Sequence, residues 1–186
     1  MKNLLINAAV LTAGLVMSST SLAAQASAAS SVGPGLTATA VLLDAEGRGI
    51  GEARLQQVLG GVLLRLDLKN ATPGVHALHI HEVGRCDGPS FESAGAHYSP
   101  DAHKHGFLNT RGPHAGDLPN IFVPASTELS VEFLVKDVTL SAGPHSLLDA
   151  NVSALVIHAG KDDYTTDPSG EAGGRLGCGP ILRNGT

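Results

Sequence analysis

Apolar and polar residues alternate over short stretches of this chain, and they seldom recur at the three- and four-residue spacing of an amphipathic helix. Alternation with a period of two predicts β-strands that have one buried face. Such stretches fall at residues 37–43, 51–58, 62–69, 75–83, 127–135, 145–149, 154–158 and 175–182. The pattern therefore predicts an all-β fold, a sandwich or barrel of about eight strands.

Two long segments interrupt this alternation, at residues 84–120 and 159–174, and the first is rich in Gly, Pro and His. Connections longer than about 15 residues are uncommon in compact domains unless they carry function. We therefore expect two long functional loops.

The start of the chain predicts a secretory signal peptide at residues 1–26, cleaved between about residues 23 and 28. A short basic start precedes an apolar run at residues 4–16, and A-x-A-like sites follow at residues 24–28. The run is shorter than the roughly 20 residues of a membrane-spanning helix, so we expect no membrane attachment after cleavage. Residues 27–35 are predicted to be a flexible lead-in, and residues 36–186 the folded domain.

Charge and cysteine content exclude some partners and indicate an oxidising compartment. The formal net charge is −5, and it becomes −6 without the signal peptide, which contains Lys2 and no acidic residue. No basic run favours a nucleic-acid partner. Export predicts that the two cysteines, Cys86 and Cys178, form a disulfide, the alternative being two free thiols.

Seven of the nine histidines form an ordered array with one aspartate: His76, His79, His81, His97, His105, His114, Asp117 and His158. Histidine is the commonest metal ligand among side chains, and this array is dense enough to hold more than one ion. His79 and His81 lie two residues apart on a predicted strand, so their side chains share one face. His76 has the opposite parity and is expected to support them without binding an ion. A site built of imidazoles favours copper over the hard cations.

A second set lies on the first predicted loop, at gaps of eight, nine and three residues: His97, His105, His114 and Asp117. Three neutral imidazoles and one carboxylate suit a closed tetrahedral zinc site. A loop folded around a metal would also explain how so many loop residues become ordered. The alternative is a solvated histidine-rich loop with weak metal affinity or none.

Arg175 lies three residues before Cys178. A disulfide would hold this arginine near Cys86 and the metal loop, where a guanidinium is a ready anion binder. The alternative is a surface arginine in a solvated ion pair.

Five segments closely resemble the copper–zinc superoxide dismutase family, in particular its exported bacterial branch. They are His76-Ala-Leu-His79-Ile-His81-Glu82, Ser93-Ala-Gly-Ala-His97, Lys104-His105-Gly106, Gly112-Pro-His114-Ala-Gly-Asp117-Leu-Pro-Asn120 and Gly174-Arg175-Leu-Gly-Cys178-Gly179. The likeness extends over essentially the whole mature sequence. It implies an eight-stranded Greek-key β-barrel. It also implies that the protein is located in the periplasm or is secreted.

The resemblance implies a role for each member of the array. Copper would be held by His79, His81, His97 and His158. Zinc would be held by His97, His105, His114 and Asp117. His97 would thus bridge the two ions and take part in catalysis.

Three further roles follow from the same resemblance. Arg175 would attract superoxide beside the copper. Asp162 would link His79 to His105 as a carboxylate behind the ligands. Cys86 and Cys178 would form the disulfide of the family.

The implied reaction converts two superoxide anions to dioxygen and hydrogen peroxide by Cu(II)/Cu(I) cycling, with a structural zinc and one ion of each metal per chain. The alternative is a non-enzymatic periplasmic protein that buffers or transfers copper or zinc. Such a protein would be expected to lose copper ligands or the arginine, and this chain keeps both. His103 could compete with His105 for zinc, but the family spacing favours His105. The family contains monomers and dimers, so a homodimer is an open expectation.

Overall fold

A computed structural model of the protein describes residues 35–185, so the predicted signal peptide and almost all of the predicted lead-in lie outside the described residues. In the described part, nine strands form: β1 (Thr37–Asp44), β2 (Gly49–Val58), β3 (Gly61–Leu68), β4 (Gly74–His76), β5 (Leu78–His81), β6 (Ile121–Val123), β7 (Leu129–Val135), β8 (Ser153–His158) and β9 (Arg175–Arg183). A single 3₁₀ turn, Glu92–Ala94, accompanies them. Within residues 35–185 we find no helix long and apolar enough to cross a membrane.

The strands form one large antiparallel sheet and one small one. The large sheet has the order β5-β8-β9-β1-β2-β3-β7, and β4 pairs with β6. Short turns join β1, β2 and β3, whereas β9 returns from far along the chain to lie beside β1. In a Greek key, a strand from later in the chain lies beside the first of three hairpin-linked strands, as β9 lies beside β1 here. The prediction of an all-β fold is confirmed.

Alternation along the strands fills one core. In β1 the side chains of Ala38, Ala40 and Leu42 are fully buried, while Val41 between them is exposed. The same two-residue period runs through β2 and β3 and supplies the leucines of the main core. The sheet therefore curls around a single apolar interior, because each strand has one face that must leave water.

The strand count differs from the predicted eight for three reasons. The predicted strand at 75–83 divides at Ala77, whose N–H donates to Gly160 O at 2.8 Å, so that β4 and β5 join different sheets. The short strand β6 was not predicted. The predicted strand at 145–149 is wrong, because those residues form turns with one isolated bridge, between Thr139 and Ser146.

Because residues 145–149 do not form a strand, the fold has three long connections where two were predicted: residues 82–120, 136–152 and 159–174. A disulfide between Cys86 and Cys178, 92 positions apart, ties the first connection to β9 and confirms the predicted pairing. A small separate core, which includes Phe91, Val156 of β8 and Cys178 itself, supports the bond. The first connection is therefore fastened to the outer face of the sheet beside the histidines.

Candidate metal centre

Strand β5 carries two histidines on the face opposite the core. Leu78 and Ile80 belong to the main core, so the intervening His79 and the following His81 project to the other side of the sheet. Strand β8 pairs with β5 and ends at His158, next to Ile157 of the core. Both histidines of β5 and His158 are buried, because the long connections cover this face.

The first long connection lies across β5 and delivers the remaining histidines. Isolated bridges pair His81 with His97 and His79 with Asp117. The N–H of Ile80 donates to Gly116 O at 2.8 Å. A Cβ on Gly116 would lie 2.3 Å from Ile80 O, so only glycine permits this close approach.

Four imidazoles meet in the first ligand set: His79, His81, His97 and His158. One nitrogen from each lies within 4.8 Å of the others. His79 Nδ1 and His97 Nε2 are buried without a hydrogen-bond partner, and His81 Nε2 faces His158 Nε2 at 3.4 Å. Buried nitrogens without partners are costly unless an ion binds them, so these residues fit a metal ion.

Asp117 gathers three imidazoles in the second ligand set. Its Oδ1 lies 3.0 Å from His97 Nδ1, 3.1 Å from His105 Nδ1 and 3.3 Å from His114 Nδ1. Its Oδ2 accepts from the backbone N–H of Gly106 at 2.9 Å and from that of His114 at 3.0 Å. The Nδ1 atoms and the carboxylate offer the donor set that suits zinc.

Asp162 connects the two sets. Its Oδ2 lies 2.8 Å from His79 Nε2, and its Oδ1 lies 2.9 Å from His105 Nε2. The backbone N–H of Tyr164 donates to the same Oδ1 at 2.6 Å and fixes the carboxylate. One buried side chain therefore orients a ring of each set, leaving His79 Nδ1 unpartnered in the first set and directing His105 Nδ1 toward Asp117 in the second.

Electrostatics keep three rings of the first set, those of His81, His97 and His158, neutral. Burial, with a smaller contribution from neighbouring imidazoles, lowers the pKa of His81 to about 2. Burial likewise lowers the pKa of His158 to about 3. Burial also lowers the pKa of His97 to about 4, although its hydrogen bond to Asp117 opposes the change. Neutral imidazoles have the lone pairs that a metal requires.

In the second set, the pKa of His105 is shifted in the opposite direction. Burial alone would lower the pKa of His105, but its hydrogen bonds to Asp117 and Asp162 raise it to about 9. Burial opposes ionisation of Asp117, yet hydrogen bonds from His105, His114 and His97 hold its pKa well below the ordinary value. The same balance lowers the pKa of Asp162 to about 2. The carboxylates of Asp117 and Asp162 thus favour positive charge on the His105 ring.

The other histidines lie outside both sets. His76 is buried, with Nδ1 2.8 Å from His158 O and Nε2 2.9 Å from Thr72 O, so it braces the strand that carries His158. His103 is exposed and contacts Pro113 O at 3.1 Å. His145 contacts Asp137 O at 2.9 Å, in the 136–152 connection.

Arg175 is held beside the first set by main-chain oxygens. Its Nη1 donates to Phe91 O at 2.5 Å and its Nη2 to Gly95 O at 2.7 Å. Gly95 O also lies 2.9 Å from His81 Nδ1. Sequence reasoning missed this shared acceptor, because a carbonyl has no signature in the sequence; the only trace is a glycine with φ of 76° between two predicted ligand positions.

A curled antiparallel sheet with two adjoining ligand sets on its outer face defines an all-β metalloprotein that can bind two neighbouring ions. The sequence model of the copper/zinc superoxide dismutase family matches residues 50–181. The chain therefore belongs to the copper–zinc superoxide dismutase family. It is by this membership an enzyme that dismutes superoxide with copper and zinc as cofactors.

Individual relatives cover most of the chain. Cu-Zn superoxide dismutase 2 of Aquifex aeolicus is 47% identical over 148 residues, which cover 78% of this chain and 86% of that protein. The Cu-Zn superoxide dismutase of Caulobacter vibrioides is 45% identical over 148 residues, 78% of this chain and 85% of that protein. A crystal structure of a superoxide dismutase-like protein from Bacillus subtilis has a TM-score of 0.75 at 37% identity, covering 77% of this chain and 97% of that chain.

Proposed function

We propose that the two ligand sets divide the metals of this dismutase between them. Copper is assigned to His79, His81, His97 and His158, and zinc to His97, His105, His114 and Asp117. The observation that carries this division is the ring of His97. Its Nδ1 faces Asp117 in the second set, and its Nε2 is unpartnered in the first set, so one imidazole can serve both ions.

The assignment of His114 to zinc needs an argument of its own. A group of four side chains whose ligand atoms all lie within 4.8 Å of one another contains His79, His97, His105 and Asp117. That group contains His79 where the proposed zinc site has His114. However, His79 Nε2 is bonded to Asp162 and its Nδ1 belongs to the first set. His114 Nδ1 already lies 3.3 Å from Asp117 Oδ1, which supports His114 as the fourth zinc ligand.

The side chains support a reaction that couples electron and proton transfer. Copper, when bound, supplies the one-electron chemistry by alternating between two oxidation states. His97 Nε2 can take a proton whenever it is not bound to an ion, while its Nδ1 stays fixed toward Asp117. The same nitrogen can then deliver that proton to the reduced substrate.

Arg175 is the proposed docking point for the anionic substrate. Its guanidinium shares the Gly95 oxygen with the copper-set residue His81, so positive charge lies beside the reacting site. The mature chain carries a net charge of −6 once Lys2 is removed, which repels anions overall. We therefore infer that Arg175 provides most of the local attraction. If neutralising Arg175 leaves the rate and its salt dependence unchanged, this role is wrong.

Three histidine variants test the division of metals. We expect His158→Ala to abolish dismutation and to lose copper while zinc largely remains. We expect His114→Ala to lose zinc first. His145→Ala is the matched control and should retain both metals and full activity. Metal content by mass spectrometry and the dismutation rate are the measurements. Loss of both metals together from His158→Ala contradicts the assignment.

Location and assembly are proposed from the sequence. We infer that residues 1–26 direct export and are removed, and that residues 36–186 form the enzyme domain in the periplasm; fractionation and N-terminal sequencing test both points. A homodimer is supported by exposed apolar side chains on adjacent strands, Val41 and Leu43 of β1 with Leu182 of β9. Sedimentation of the purified protein decides between dimer and monomer. The metal-buffer alternative is not favoured, because the chain keeps the full ligand array and Arg175.

A further inference from the structure

The guanidinium of Arg175 keeps most of its donors free. Phe91 O and Gly95 O accept two of its N–H groups. A guanidinium has five such groups, and among residues 35–185 no further hydrogen bond uses the other three. The docking point is therefore fixed in position and still open to an anion.

Glu92 stands between the two carbonyls that hold this arginine. It begins the 3₁₀ turn Glu92–Ala94, directly after Phe91 and shortly before Gly95. Its side chain is exposed. The ion pairs formed by lysine and arginine in the described residues do not include it. An acidic side chain thus stands on the short segment whose carbonyls hold the guanidinium of Arg175.

The charge of Glu92 acts on Arg175. Burial lowers the pKa of the arginine, and the carboxylate of Glu92 partly opposes that change. A carboxylate that stabilises the guanidinium also repels any anion that approaches the free donors. Glu92 therefore works against the attraction that Arg175 supplies.

We propose that Glu92 is a specificity-determining residue, which makes the Arg175 docking point select monoanions such as superoxide over dianions such as sulfate. The inference rests on the proposed docking role of Arg175. Coulomb repulsion is proportional to the charge of the incoming anion. If Glu92 weakens monoanion binding by some factor, it weakens dianion binding by about the square of that factor. Glu92 thereby lowers the dismutation rate and makes the enzyme more resistant to inhibition by polyvalent anions.

The first test compares Glu92→Gln with Glu128→Gln, a control at an exposed site before β7 that changes the net charge by the same amount. For Glu92→Gln at low ionic strength we expect a dismutation rate about two to five times higher. Inhibition by sulfate at constant ionic strength should strengthen by about the square of that factor. Both effects should fade near 1 M salt, where the Debye length is about 3 Å.

The second test needs neither metal nor turnover. The Arg175 side-chain N–H signals of the metal-free protein are followed by NMR during titration with formate and with sulfate. Glu92→Gln should raise the sulfate affinity more than the formate affinity, and Glu128→Gln should change neither. Equal gains in both variants, or equal gains for both anions, overturn the proposal. If the wild-type enzyme does not dismute superoxide, the proposed function fails, whereas the titration still decides the role of Glu92.

Discussion

Two buried carboxylates, Asp117 and Asp162, position most of the imidazoles at the centre. Asp117 gathers three rings on one oxygen, whereas Asp162 gives one oxygen to His79 and the other to His105. Both side chains are excluded from water, so ring and backbone N–H groups must balance each negative charge. A change that moves either carboxylate should therefore disturb both ligand sets.

Gly170 offers a way to move Asp162 without replacing a ligand residue. Its φ is 65°, and a Cβ there would lie 1.9 Å from Asp162 Oδ1 and 2.7 Å from His105 Nε2. We expect Gly170→Ala to destabilise the metal-free protein by about 2–4 kcal/mol in urea unfolding. Metal affinity should fall by about 10- to 100-fold. Gly174→Ala meets no atom within 4 Å and is the control; equal losses in the two variants would contradict the explanation.

The buried histidines predict a stability maximum near neutral pH for the metal-free protein. Burial lowers the pKa of His81, His97 and His158 to about 2, 4 and 3. Below the unfolded value of about 6.5 the unfolded chain therefore binds more protons, and stability is lost on acidification. The contribution of His105 to stability has the opposite sign. Hydrogen bonds to its carboxylate partners outweigh burial and raise its pKa to about 9. Its contribution is fully present below about 6.5 and is lost as the pH rises through 9.

Each of these groups contributes a slope of up to about 1.4 kcal/mol per pH unit. Urea unfolding of the chelated protein between pH 4 and pH 10 measures the profile. A free energy of unfolding that increases from pH 6.5 to pH 5 would refute the neutral state of the three rings.

At the residue scale, sequence reasoning identified side chains and missed backbone groups. The ligand candidates could be found because imidazoles and carboxylates carry their chemistry in the residue type and its spacing. The Gly95 oxygen shared by His81 and Arg175 could not, because its position depends on how two distant segments pack. The charge of Glu92 beside Arg175 was missed for the same reason.

Among the elements, the disulfide-linked segment holds the arginine in place. It joins residues 92 positions apart and places Phe91 O and Gly95 O against Arg175. We expect Cys86→Ala with Cys178→Ala to lower the free energy of unfolding by about 4–5 kcal/mol, as the loop length indicates. The dismutation rate at low substrate should also fall, because the arginine loses its fixed support. Reduced wild-type protein should match the double variant. An unchanged rate in both would show that the disulfide is not needed to hold Arg175 at the docking point.

Local periodicity predicted the long strands well and the short ones poorly. Strands β1, β2 and β3 follow the two-residue alternation because one face of each meets the core. The three residues of β6 are too few to show a period, and their pairing with β4 is a tertiary event. The prediction of a strand at residues 145–149 is wrong because Leu147 lies in a turn and is nevertheless fully buried. An apolar residue there therefore does not require a strand.

On the scale of the whole molecule, the core and the metal centre are built from different parts of the chain. The main core is made mostly of strand residues, whereas His97, His105 and His114 stand on a connection with almost no regular structure. Metal removal should therefore leave the large sheet folded and loosen the connections.

Hydrogen exchange measures this separation directly. In chelated protein we expect amides of residues 97–117 and 159–174 to exchange at least about tenfold faster, while those of β1, β2 and β3 keep their protection. Addition of zinc alone should restore most of the protection in residues 97–117. Uniform loss of protection across the sheet would show that the metals stabilise the whole fold.

The carboxylate of Asp162, in contact with His79 on one side and His105 on the other, has a thermodynamic consequence. The first ion can change the affinity for the second ion by orienting this shared group. The second ion must then change the affinity for the first by the same factor. The order of loading then changes the intermediate occupancies and leaves the total binding free energy unchanged. The two ligand sets are thus thermodynamically coupled: the factor by which loss of copper changes the affinity for zinc equals the factor by which loss of zinc changes the affinity for copper.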